Sequence, residues 1–544
     1  MTSLSGTFIK YNYTTMESKY RSAGINVLLA LSLILIITSC SNSKQYQFTI
    51  VDDKTGEQQA ARVSVINTCG RSIHINGIST HVEYLGKHWC YTDGSFSVTV
   101  PKEGAVIEIQ HGPETLPVKI SSDTCPGRNI IKLHRWINMH EIGYLNGDIH
   151  IHTPFSETAN LQMKAEDLDV LNILVGEDSE KNKQFTGNID PASSPGRTIY
   201  VAQEVRDWQM GHLTLIGLSS LVPGYPIAGG TLESYHHTNW IMSPAADETH
   251  RQGGLVFWSH FSNLPGAESP VAIALGKIDA LELMTYDDPT HLPSHWGPWK
   301  NSGMPAAEFP VMRGMDLWYQ YLNAGFRLPI VAGTDKMADD IPMGSNRVYV
   351  YTKGNTDYQV WLAAIKSGQG FITNGPILTF QVDGHISGEV VQISGTQKIH
   401  AKVTARSILP FATLEIVSNG WVVGHKTIFV ADNPPINGIY TMTVETDLVI
   451  DRSTWIAARV ADDPDNKNRI LPRGLSVFAH TNPVYFLQNG KPVMENASIL
   501  YLQKYVQGTM HWLQTDPPFE DPEDRLEALK LSGEALQIYK SLSE

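Results

Sequence analysis

The stretch Gly147-Asp148-Ile149-His150-Ile151-His152-Thr153-Pro154 places two histidines two residues apart, just after an aspartate. In an extended strand, side chains alternate between faces. Asp148, His150 and His152 then share one face, and Ile149 and Ile151 the other. Two neighbouring imidazoles are the nucleus of a metal site, with the carboxylate placed to orient a ligand ring. In a chain with 20 histidines such a short pattern carries little weight alone. Four further residues add to it. TIYVAQE ends at Glu204, GHLTLIGL opens with His212, GLVFWSH ends at His260, and LPIVAGTD ends at Asp335. Singly, a histidine at a strand end is ordinarily a satisfied polar group and an acid a helix cap. Jointly they form two imidazole-rich sites around one carboxylate. That mixture of nitrogen and oxygen donors suits zinc, manganese or iron.

The elements that must position these residues fall into distinct textures. From 45 to 138, ARVSVIN, TDGSFSVTV and AVIEIQ alternate and are broken by turns, which predicts an N-terminal β-sandwich. From 139 to 376 the strands become nearly continuous apolar runs: LDVLNILVG, TIYVAQE, LTLIGL, GLVFWSH, IDALELM and LPIVAGTD. Such runs belong to sheets buried on both faces, hence parallel, with helices between them. MDLWYQYLNAG and TDYQVWLAAIKSG read as helices stopped by Gly325 and Gly368. Alternation returns from 377 to 482 (LTFQVDG, KIHAKVTA, TLEIVSNG, WIAARVAD) and predicts a second β-sandwich. Residues 483–544 predict a helical tail, with Leu526, Leu529 and Leu536 facing a partner surface. The expected fold class is multidomain: a central distorted α/β barrel flanked by two β-sandwich domains. In such barrels, functional residues gather at the C-terminal ends of the strands.

A length of 544 residues suits about three domains. The formal net charge of −14 argues against a nucleic-acid partner, which needs a basic footprint. Lys19 and Arg21 precede the apolar run Ile25–Ile37, and TSC follows, ending at Cys40. The pattern predicts a signal over residues 1–40 that resembles the lipobox of bacterial lipoproteins. Cys40 would be lipidated, giving an exported, envelope-facing protein held to the membrane only by that anchor. Met16 is an alternative start. An oxidising compartment allows one disulfide among Cys69, Cys90 and Cys125; the other reading is three buried thiols.

The ordered motifs GDIHIH, a Glu about fifty residues on, GHLTLIGL, GGLVFWSH and AGTD resemble the PHP (polymerase and histidinol phosphatase) metal-dependent hydrolase superfamily. With MKAEDLDVL, LNAGFRLPIVAGTD, NRVYVYT and FITNGPILTF, the chain more narrowly resembles the CehA/McbA, carbaryl-hydrolase-like branch, over most of its length. The resemblance implies a PHP-type barrel. In it, His150, His152, Glu204 and Asp335 hold one metal, and Glu204 bridges to a second held also by His212 and His260. A third site is expected to be degenerate, so two metals, or one, are expected and not three. Asp335-Lys336-Met337 stands where the family has Asp-x-His, and LVGEDSE offers only Glu177 and Asp178 where Asp-His is usual. Glu157, in HTPFSE, is a remnant without imidazole partners.

The chemistry expected is attack by a metal-bound hydroxide on an ester, amide, carbamate or phosphoester. No GxSxG, no phosphate-binding loop and no cysteine in the barrel segment offers another nucleophile. Asp148 is expected to orient a ligand or accept a proton, and Lys336 to meet negative charge on the substrate. His236 and His237, with His291 and His295 in HLPSHWGPW, are candidates for contact with a small-molecule or glycan-like substrate. The competing reading is a catalytically degenerate barrel acting as an envelope binding or scaffold module. A purely structural zinc site fits less well, since such sites are closed and favour cysteine.

Overall fold

The computed structural model describes residues 43–176, 180–207, 209–225, 241–262, 266–285, 312–461, 470–471, 475–515, 519 and 521–543. The leader with Cys40, and Glu177, Asp178, His236, His237, His291 and His295, lie outside these residues. The chain is multidomain and mostly β, with one large curled sheet and several smaller ones.

The N-terminal unit comprises two sheets around one core. Ser43–Asp52 pairs with Ser95–Pro101 and Arg128–Leu133. The second sheet runs in the order His81–Tyr84, Lys87–Thr92, Ala61–Asn67, Ala105–Gln110, Val118–Ser121. Strict alternation explains the packing. Tyr46, Phe48 and Ile50 are buried, whereas Gln47 and Thr49 between them are exposed. The buried set packs with Val98 of the paired strand and with Val63 and Ile107 of the facing sheet. Cys69, Cys90 and Cys125 are all free thiols, and only Cys90 is buried, so neither expectation for the cysteines holds.

The central sheet has fifteen strands, and seven of them form the curl. Tyr144–Ile151, Val170–Val175 and Thr198–Asp207 run parallel. Gly211–Ile216 turns back, antiparallel to Thr198–Asp207 on one side and to Leu255–Trp258 on the other. Leu255–Trp258, Ala280–Met284 and Ile330–Ala332 are again parallel. The sheet is therefore mixed, not wholly parallel as the apolar runs predicted. Burial on both faces still accounts for those runs, since Val170–Val175 and Gly211–Ile216 are buried at every position. The curl brings its two ends together. Asp335 N donates to His150 O (2.7 Å), His152 N donates to Lys336 O (2.9 Å), and Ile151 bridges Lys336 in parallel.

On the other edge of Tyr144–Ile151 the same sheet continues through Arg347–Tyr351, Gly370–Thr373, Ala479–Thr481, Thr454–Ala461, Thr413–Ser418 and Trp421–Thr427. Position 376 is thus no break in hydrogen bonding. One layer of the C-terminal β region belongs to the sheet that carries the histidines. The other layer is Ile377–Val382, Gln397–Ser407 and Tyr440–Ile450, and a core with Val403, Val444, Leu414 and Ile456 lies between them.

Two helices, Asn496–Gln514 and Pro522–Ser541, close the chain. Asp521 caps the second by accepting from Glu523 N. Hydrogen bonds tie both to the segment after His260: Tyr505 Oη donates to Gly266 O (2.7 Å) and Tyr539 Oη to Pro270 O (2.8 Å). Leu536 is buried and Leu529 packs at the core's margin, whereas Leu526 is exposed, contrary to expectation. Among the described residues, no helix is long and apolar enough to cross a membrane.

Candidate metal centre

Strand direction explains how six distant residues meet. His150 and Glu204 lie toward the C-terminal ends of their strands, His152, His260 and Asp335 just beyond theirs. His212 opens its strand, but that strand is the reversed one, so its start lies on the same rim. The register Arg206↔His212 and Glu204↔Thr214 puts all four side chains on one face. Between Asp148↔Leu171 and Ile151↔Ile173 the first strand holds an extra residue. This bulge breaks simple alternation and re-aims the side chains around His150.

The donor atoms converge on Glu204. Its Oε2 lies 3.1 Å from His152 Nε2 and 3.5 Å from His150 Nε2. Asp335 Oδ1 is 3.4 Å from each of those nitrogens. The other carboxylate oxygen, Glu204 Oε1, lies 3.3 Å from His260 Nε2 and 3.6 Å from His212 Nδ1. One carboxylate therefore faces two donor sets. All six residues are buried. Backbone strain accompanies the arrangement: His260 (φ 51°) and Asp335 (φ 47°) both adopt left-handed conformations that non-glycine residues rarely take.

Glu282, not singled out from the sequence, ties His150 and His260 together. It is fully buried, and both its oxygens lie 3.1 Å from His150 Nδ1. Oε2 also accepts from His260 N (3.0 Å). His152 Nδ1 lies 3.1 Å from the Leu174 carbonyl. Since carbonyl and carboxylate oxygens accept, both rings carry their proton on Nδ1 and turn Nε2 toward Glu204. Close approach at this point requires glycine. A Cβ on Gly333 would stand 2.4 Å from His150 Cβ and 2.6 Å from Glu282 Oε1.

Arg206 is the second group the sequence reading passed over. Its Nε donates to Glu204 Oε2 (2.7 Å), and its Nη2 lies 2.9 Å from His152 Nε2. Electrostatics follow from this crowding. Burial opposes ionisation of Glu204, but Arg206 and His150 outweigh it and hold the carboxyl well below its usual range. Burial likewise opposes ionisation of Asp335, and His150 and His260 override it. Burial would depress His150; Glu282, Glu204 and Asp335 raise it well above an ordinary histidine. His260 is raised against burial by Asp335 and Glu204. His212 is different: burial pushes it down to about 4, which favours the neutral imidazole.

Asp148 and Lys336 are both engaged in local hydrogen bonds. Asp148 Oδ1 accepts from His150 N and Thr334 N (2.9 Å), and Oδ2 from Gly344 N (2.7 Å). It staples backbone loops, and no ligand imidazole ring lies among these partners; burial raises its pKa to about 6. Lys336 has a fully buried side chain, and Nζ donates to Ala338 O and to Asp339 Oδ1 (3.2 Å). Burial lowers its pKa despite Asp339. Lys336 is thus tied into its own loop and does not lie on the surface. Glu157 is exposed in the first turn of the Ser156–Ala165 helix and, among the described residues, joins none of the potential ligand clusters.

The donor set fits a metal ion. His150, His152 and Glu204 form one cluster, Glu204, His212 and His260 another, and His150, His260 and Asp335 a third, each with ligand atoms within 4.8 Å. Asp335 Oδ1 is buried without a hydrogen bond, although two imidazole nitrogens stand near it. These buried clusters can hold a metal ion. The chain matches no protein-family model, no curated protein and no solved structure.

Proposed function

We propose that the chain is a metal-dependent hydrolase with a PHP-type dinuclear centre, acting on an ester, amide, carbamate or phosphoester bond. The observation that carries this reading is Glu204, a single buried carboxylate whose two oxygens face separate sets of donors. His150, His152, Glu204 and Asp335 would hold one ion and Glu204, His212 and His260 the other. Nitrogen and oxygen donors without sulfur favour zinc, manganese or iron. When bound, two such ions acidify a water near neutral pH and polarise the substrate oxygen.

The chain's own groups do the positioning. Glu282 fixes the ring of His150 and the backbone of His260 together, so the two donor sets move as one unit. Arg206 lies against Glu204 and His152, and we assign it the role first expected of Lys336, contact with negative charge on the substrate. In this reading the leader adds a location: export and lipid anchoring at Cys40 put the hydrolase at the cell envelope.

The test is a panel of nitrophenyl esters, carbamates and phosphates, assayed after reconstitution with zinc, manganese or iron. Wild type should hydrolyse at least one class, and Glu204→Gln should lose both that activity and bound metal. Equal activity in Glu204→Gln would overturn the assignment. No activity on any class with metal bound would leave the centre a binding module and refute the hydrolase.

A further inference from the structure

A second group of ligands lies outside the central site, on a hairpin of the N-terminal unit. His81–Tyr84 and Lys87–Thr92 are joined by Leu85 (φ 52°) and Gly86 (φ 70°), the tight two-residue turn that keeps flanking strands in register. Pairing sets Glu83 directly opposite His88 and His81 opposite Cys90. His81, Glu83 and His88 therefore share one face, while Val82 and Trp89 pack on the other against Ala165.

Their donor atoms converge. One ligand atom from each of the three lies within 4.8 Å of the others. His88 Nδ1 contacts Glu83 Oε1, and the His81 and His88 rings stack with centroids 4.8 Å apart. The Glu83–His88 ion pair accounts for one of these contacts but not for His81. His81 Nδ1 lies 2.9 Å from the Ser79 carbonyl, which accepts its proton and leaves Nε2 with its lone pair. A histidine whose other nitrogen is tied to a carbonyl is the usual state of a metal-ligating ring. The platform is also anchored, because Glu83 N donates to Asp339 O (2.8 Å), four residues beyond Asp335.

We propose that His81, Glu83 and His88 form a separate, peripheral site for a zinc-class divalent cation, which clips the edge hairpin beside the loop that follows Asp335. Two imidazoles and one carboxylate select zinc, nickel or copper(II) over magnesium or calcium. Glu83 is exposed and His88 half-buried, so the remaining coordination positions go to water and binding is weaker than at the buried centre.

The test is calorimetric titration of the metal-free full chain with zinc. Wild type should show a weaker class of one equivalent beyond any tight class. His81→Ala with His88→Ala should lose that class, and Glu83→Gln, which keeps the shape of the side chain, should weaken it. His150→Ala with His152→Ala should retain it. This last chain separates the two readings: if the central site fails, the tight class is missing while the weaker one persists. Absence of a weaker class in wild type would overturn the proposal, as would a class unchanged in His81→Ala/His88→Ala or in Glu83→Gln.

Discussion

Two regions bury ionised groups, and they do so by opposite means. Where the N-terminal unit meets the curled sheet, carboxylates are matched by arginines of the same chain. Arg62 pairs with Glu166 (2.9 Å), Arg135 with Asp167 (2.7 Å) and Glu114 (3.1 Å), and Arg197 with Asp167 (3.0 Å). Tyr91 and Tyr349 donate to Glu166 and Glu114. At the central site, Glu204 and Asp335 face imidazole nitrogens, with Arg206 the guanidinium at Glu204. Burying a carboxylate is costly without a compensating partner. The junction carries its own compensation and is built to stay closed. The centre keeps Lewis-basic atoms facing one another and draws its compensation from protons or from a metal ion.

Variants can break this contrast. The largest expected effect is at the junction. Arg62→Ala leaves Glu166 buried without its cation and should cost about 3–5 kcal/mol in chemical denaturation, with metal content unchanged. Next is Gly333→Ala. Its Cβ must displace His150 or Glu282, which should cost about 1–3 kcal/mol and lower metal occupancy in the same samples. Glu282→Gln should weaken metal binding by about 10–100-fold, the usual effect of altering a group that orients a ligand, and, by removing the charge paired with His150, also lower the denaturation midpoint of the metal-free chain. An equal metal affinity in Glu282→Gln would sever the orienting role from the site.

The smallest expected effect is one of pH, and its sign differs between the metal-free and loaded chains. His150 and His260 have raised values in the folded state. Their ion pairs therefore stabilise the metal-free chain fully below the ordinary histidine value of 6.5, and that stability is lost as pH rises through the folded values. Glu204 and Asp335 are lowered, so their share is present above the ordinary carboxylate range and is lost as pH falls through the folded values. Metal must displace the imidazolium protons, so its affinity should rise across the pH range in which stability of the metal-free chain declines. Parallel melts and metal titrations from pH 5 to 9 check both slopes, and slopes of the same sign would contradict the linkage.

The six residues that gather at the centre were legible because each ends or opens a run with a strong apolar signature, as GLVFWSH and LPIVAGTD do. Their gathering was legible only in part. The position of His212 at a strand start is explained by the reversal of Gly211–Ile216, and strand direction is a matter of long-range pairing that local pattern does not encode. Glu282 was hidden inside IDALELM, read as one more buried strand; the signal was an acid flanked by apolar residues in ALELM, which needs a buried partner. Arg206 lies two residues beyond Glu204 on the same face and was open to the same period-two argument that paired His150 with His152. Asp148 was misplaced by that argument, because the bulge before Ile151 breaks the alternation. The continuity of the central sheet across position 376 depends on pairings such as Phe371↔Thr481, over a hundred residues apart in sequence, and no spacing reveals it.

The most direct test of the proposed dinuclear centre is the metal retained per chain after exhaustive desalting, measured by mass spectrometry on wild type beside His150→Ala/His152→Ala. Wild type should keep about two ions and the double variant fewer, with the weaker hairpin site emptied in both. No retained metal in wild type after reconstitution with zinc, manganese or iron, or equal retention in the two chains, would contradict a metal centre built around Glu204.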